Sequence, residues 1–121
     1  MRIVDAETFM AMPAGTVFAK YEPVVFEDLR IKGDTLHASD FLYQDLIPSF
    51  VTTDSSIEYI DHLQAIEYGQ VAPDLDYNCQ GRDGCFQMDQ LYAVFEPRDV
   101  SAMISRLQEA LAACTAAPIS I

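Results

Sequence analysis

No lysine or arginine occurs between Lys32 and Arg82. The 49 residues from Gly33 to Gly81 carry nine carboxylates: Asp34, Asp40, Asp45, Asp54, Glu58, Asp61, Glu67, Asp74 and Asp76. They supply nine negative charges of a formal net −12. A surface of one sign casts a long-range negative field. Such a field repels nucleic acid and anionic membrane and attracts basic grooves. With no basic strip, direct nucleic-acid binding is excluded. Long apolar runs are also missing. Residues 46–53 are uncharged but include Pro48, Ser49 and two threonines, and a membrane span needs ~20 apolar residues. Asp5 and Glu7 interrupt any apolar core of a secretory leader. The expectation is a soluble cytoplasmic protein. Three cysteines, an odd number without an export signal, point to reduced thiols. There is no glycine-rich phosphate loop and no nucleophile elbow, so no residue is assigned a catalytic role and no cofactor is implied.

What is present is a folding composition. Half of the 121 residues are hydrophobic and 11% aromatic, enough for one domain over residues 1–121 without a metal or disulfide staple. Asp5 can cap a short helix over Ala6 to Ala11 that buries Phe9. Pro13, Ala14 and Gly15 break it. Thr16 to Tyr21 alternates as a strand, and an extended run from Val24 continues toward Leu29 and Ile31. Gly33-Asp34 reads as a turn. Asp40 to Ile47 forms a third strand, ended by Pro48.

Asp54-Ser55-Ser56 offers N-caps to a helix running to about Tyr68, with Gly69 as its stop. Ile57, Tyr59, Ile60, Leu63 and Ile66 share one broad half of that helix, which should pack on the sheet. Asp54, Glu58 and Asp61 share the other half as an acidic stripe. Residues 71–90 read as a turn-rich loop. Leu91 to Phe95 is a buried strand. Pro97 opens the last helix, where Val100, Met103, Ile104, Leu107, Leu111 and Cys114 repeat at helical spacing. Cys114 is expected in the core. The order of elements predicts an α+β fold: a small, mostly antiparallel sheet of three or four strands, two main helices packed on it and a short N-terminal helix.

Asp74, Asp76 and Asn78 imitate the first ligands of a calcium loop. Cys79 then stands where that loop needs glycine and Cys85 where it needs the closing glutamate. An Asx-turn explains the same residues. Cys79 and Cys85 lack the paired Cys/His spacing of a zinc site, and His37 and His62 are isolated. A redox pair and two unrelated thiols both remain open. The expectation for metal is none. Among six tyrosines, Tyr68 and Tyr77 flank the acidic loop and are the best interface candidates.

Several segments occur together: Met12-Pro13-Ala14-Gly15-Thr16-Val17-Phe18, Tyr21-Glu22-Pro23, Ile31-Lys32-Gly33-Asp34-Thr35, Phe41-Leu42-Tyr43-Gln44-Asp45-Leu46, Gly81-Arg82-Asp83-Gly84 and Leu91-Tyr92-Ala93-Val94-Phe95-Glu96. This pattern resembles small acidic accessory proteins of phages and prophages, a size and charge class that includes anti-CRISPR and other anti-defence inhibitors. The resemblance implies a stoichiometric inhibitor and carries over no catalytic residue. The expected function is therefore non-enzymatic. The partner is a host nucleic-acid-binding protein or ribonucleoprotein complex with a Lys/Arg-rich surface, bound through Asp54, Glu58, Asp61, Tyr68, Asp74, Asp76 and Tyr77. Two other classes remain: a homo-oligomeric scaffold or homodimer whose acidity serves solubility, with the apolar last helix and the Ile119-Ser120-Ile121 tail as its symmetric interface, and a small enzyme or metal-responsive module built on residues 74–85.

Overall fold

Chain direction is reset early by a single carboxylate. Strand β1 (Arg2–Val4) runs into Asp5, whose Oδ1 accepts the Thr8 N–H at 2.8 Å and so caps helix α1 (Ala6–Met10). Hydrogen bonds from the Thr8 side chain and then its backbone N–H hold the Asp5 carboxyl below its ordinary pKa. A computed structural model describes residues 1–37, 40–48, 56–69, 74–78, 80–84 and 88–116, with 56–59 and 62 as backbone alone. The remaining strands are β2 (Val17–Glu22), β3 (Val25–Phe26), β4 (Arg30–His37), β5 (Asp40–Asp45), β6 (Gly81–Asp83) and β7 (Leu91–Phe95). Helices α2 (Ser56–Glu67) and α3 (Pro97–Ala116) complete the chain.

The fold is α+β. All strand pairs are antiparallel, in the order β1-β7-β2-β4-β5-β6, with β3 folded back on β2. Among the described residues the sheet has seven strands rather than three or four. Two extra strands, β1 and β6, are three-residue edges too short to show an alternation. The run from Val24 toward Ile31 divides into β3 and β4. Gly33-Asp34, read as a turn, lies inside β4. A Cβ on Gly33 would come within 3.0 Å of Leu42 Cβ and 3.1 Å of its carbonyl oxygen, so the glycine serves close approach of two strands.

The core is aromatic and centred on the short helix. Phe9 of α1 is fully buried, stacked on Tyr92 of β7 with centroids 4.0 Å apart. Phe18 of β2 lies 4.7 Å from it and Phe41 of β5 5.2 Å. Ala6 and Val94 close the cluster. Register explains the grouping: Phe18 pairs with Val94 and Lys20 with Tyr92, so these side chains share one sheet face.

The two long helices do not fill the role expected of them. No α3 residue is buried, and Cys114 is exposed rather than in the core. On α2, Ile60 and Leu63 are exposed. Helical periodicity identifies an apolar face but not what covers it. Here α1 and the sheet have already satisfied the core. Among the described residues no helix is long and apolar enough to cross a membrane.

Candidate interaction surfaces

The acidic segment is partly neutralised by its own sheet partners. β5 lies between β4 and β6, which bring the flanking cations onto it. Arg30 Nε donates to Asp45 Oδ1 at 2.8 Å. Arg82 Nε donates to Asp40 Oδ1 and Oδ2 at 2.9 and 3.0 Å, and its Nη2 also meets Oδ2. Asp40 is buried, and this guanidinium holds its carboxyl below the usual range. Arg30 also stacks 4.2 Å from the centre of the Tyr43 ring, whose other neighbour is Gly81. A Cβ on Gly81 would fall 2.4 Å from Tyr43 Cζ, so the ring lies directly over the glycine.

The other cations are engaged as well. Lys20 meets Asp83 at 2.6 Å, and Arg2 and Arg98 share Glu96. Lys32 is buried, donating to Gly33 O and Thr35 Oγ1 at 3.0 and 2.8 Å, with its ammonium 5.8 Å from the Phe9 ring centre. Burial lowers its pKa. Five of the seven basic side chains thus close ion pairs with carboxylates and a sixth is buried; Arg106 closes none among the described residues. Among the described residues no ion pair reaches the other exposed carboxylates, although Asp34 lies in the field of the Lys32 ammonium.

Those exposed carboxylates include Asp34, Asp61, Glu67 and Asp74, with Asp76 half-buried. Asp61 and Glu67 belong to α2. The Tyr68 N–H donates to Gln64 O at 3.0 Å, which extends helical geometry to Tyr68. Asp61, Gln64 and Tyr68 therefore form one stripe, and Ile60, Leu63 and Glu67 the adjacent one. All six are exposed, Tyr68 at 77% and Ile60 at 54%. The described part of α2 thus exposes acidic and apolar side chains together. Asp54 lies outside the described residues, and Glu58 is placed on α2 by its backbone alone.

In the loop, the Asn78 N–H donates to Asp76 Oδ1 at 3.1 Å, forming an Asx-turn. Tyr77 beside it is 65% exposed. Cys79 and Cys85 lie outside the described residues. Among the described residues no three His, Cys, Asp or Glu side chains converge in a way that could hold a metal.

A second surface lies on α3, the helix that the homo-oligomeric reading offered as a symmetric interface. Ile104, Leu107 and Leu111 of α3 are 51%, 63% and 63% exposed. A groove of about 660 Å³ runs beside the start of this helix, lined by Met12, Pro13, Val17, Phe95, Val100 and Ile104 among others. Periodicity marked the α3 residues, but as core. Comparison with family models, curated proteins and solved structures finds no match for this chain. Residue roles therefore rest on geometry and charge.

Proposed function

We propose that the protein is a non-enzymatic binding protein that occupies a Lys/Arg-rich surface on a nucleic-acid-binding partner. The observation that carries this reading is the α2 surface. It presents Asp61 and Glu67 between Ile60, Leu63 and Tyr68, in a chain where six of the seven basic side chains are paired or buried. Charge and apolar area do different work there. Carboxylates steer the encounter and pair with guanidinium groups as phosphates would. Large apolar and aromatic side chains, once desolvated, slow dissociation. Asp74 and Tyr77, six and nine residues beyond Tyr68, extend the same chemistry into the loop.

The resemblance to phage and prophage accessory proteins supports a host complex as the partner, an anti-defence role and a cytoplasmic site of action. In that role the protein competes with nucleic acid for its channel and needs neither cofactor nor metal.

The test uses the whole chain as bait in a lysate of its natural host. Wild type should retain nucleic-acid-binding proteins that are released both by salt and by added duplex DNA or RNA. A triple variant carrying Asp61→Lys, Glu67→Lys and Asp74→Lys, with unchanged circular dichroism, should retain none of them. Equal retention by the two baits across a salt series would remove the acidic surface from the function.

A further inference from the structure

We infer that α3 is the seam of a homodimer, packing antiparallel against α3 of a second copy of this chain. Ile104, Leu107, Leu111 and Cys114 follow a 3-4-3 spacing, the a/d repeat of a two-helix seam, and all four are exposed. The positions beside that repeat carry no charge. On one flank stand Ser101, Gln108 and Thr115, and on the other Met103 and Ala110. The charged residues of the helix, Arg98, Asp99, Arg106 and Glu109, fall at the outer positions.

Charge identifies the occupant. The helix bears two cations and two anions, so it is neutral, while the whole chain is at −12. Two such chains meeting on it bring no net like charge together at the contact. A basic partner finds no carboxylate along this seam, and a partner selected by flanking charge finds none to read. A second copy matches every position. With the two-fold axis near residue 109, Ile104 meets Cys114 of the second copy, Leu107 meets its Leu111, Gln108 meets Gln108 and Ala110 meets Ala110. Antiparallel packing also carries the last turn of the second α3 toward the apolar groove beside Val100. This joins the seam to the groove, whose lining is largely apolar and whose charged members Arg2 and Glu96 pair with each other. With the axis near residue 109 the two helices overlap over residues 102–116, about 22 Å. A specific interface needs roughly 800 Å² per partner, so the groove has to contribute to it as well as the seam. The inference is independent of the acidic surface.

Sedimentation velocity over a dilution series of the full chain should give twice the 13.5 kDa chain mass at high concentration. Leu107→Glu with Leu111→Glu should raise the dissociation constant by about 100-fold or more, because four carboxylates enter one apolar seam. Arg106→Glu, at an outer position, should leave the mass unchanged. Ala110→Cys should form an interchain disulfide under mild oxidation, which requires the antiparallel register and does not depend on the double variant folding. A monomeric mass at every concentration overturns the inference. So does a dimer indifferent to the double variant, a larger closed oligomer, or a dimer that Ala110→Cys fails to crosslink.

Discussion

Asp40 is a buried carboxylate held chiefly by Arg82, which comes from 42 residues away and is itself largely exposed. Arg82 would lose little on being left alone, since water can solvate it. Asp40 would lose much. The hydrogen bonds from Arg82 lower the Asp40 pKa in the folded state. Protons therefore bind the unfolded chain more readily. The contribution of this pair is complete above the ordinary carboxylate range and is lost as pH falls through the lowered value. Asp40→Asn should unfold at lower temperature than wild type at neutral pH, and the gap should close on acidification below about pH 4. Thermal melts of both proteins across that range check this; a gap independent of pH would place the effect in packing instead. The sequence revealed the absence of cations in this segment but not their return. Local pattern cannot show that β4 and β6 flank β5, so nine uncompensated charges were expected where Asp40 and Asp45 are paired.

At the scale of elements, the β2–β3 hairpin carries a conformational cost. Its two-residue connection is Pro23-Val24, since Glu22 pairs with Val25. Val24 has φ of 64°, the left-handed region that a β-branched residue avoids. Its side chain is 90% exposed and offsets nothing by burial. Val24→Gly should therefore stabilise the protein by about 1 kcal/mol, after the entropy of an added glycine is subtracted. That corresponds to a rise of roughly 4 °C in Tm. An unchanged or lower Tm would mean that the bond from the Val24 N–H to Tyr21 Oη, 3.1 Å long, already compensates the strain. Other elements divide by how local their causes are. Asp5 capping α1, Pro97 opening α3 and the apolar strand β7 are local, and each was legible within a residue or two. Gly33 was misread because its reason, the backbone of Leu42, is contributed by another strand. The faces of α2 and α3 were legible, but their coverings were not. A core completed by Phe9, Phe18, Phe41 and Tyr92 leaves the longer helices available for contacts outside the chain.

The whole molecule joins two surfaces of opposite character, and salt separates them. A −12 chain binding a basic partner gains from long-range attraction. Screening shortens the reach of that attraction from about 30 Å at 0.01 M salt to about 8 Å at 0.15 M. The same screening relieves the repulsion between two −12 copies, whose α3 seam contains no charge to be weakened. Raising sodium chloride over that range should weaken the complex with a basic partner and tighten the homodimer. Fluorescence anisotropy with labelled poly-lysine reads the first, as a dissociation constant that rises with salt. Sedimentation velocity reads the second, as one that falls. Salt-insensitive binding of the basic probe would mean that Asp61, Glu67 and Asp74 do not steer it. A dimer that loosens with salt would be held by ion pairs, which the α3 flanks do not contain, and the seam would have to lie elsewhere. Running both titrations on the Leu107→Glu, Leu111→Glu variant isolates the acidic surface. Its affinity for the probe should be no weaker than that of wild type once counted per chain, because the acidic stripes lie on a different helix and the two added carboxylates can only strengthen the attraction.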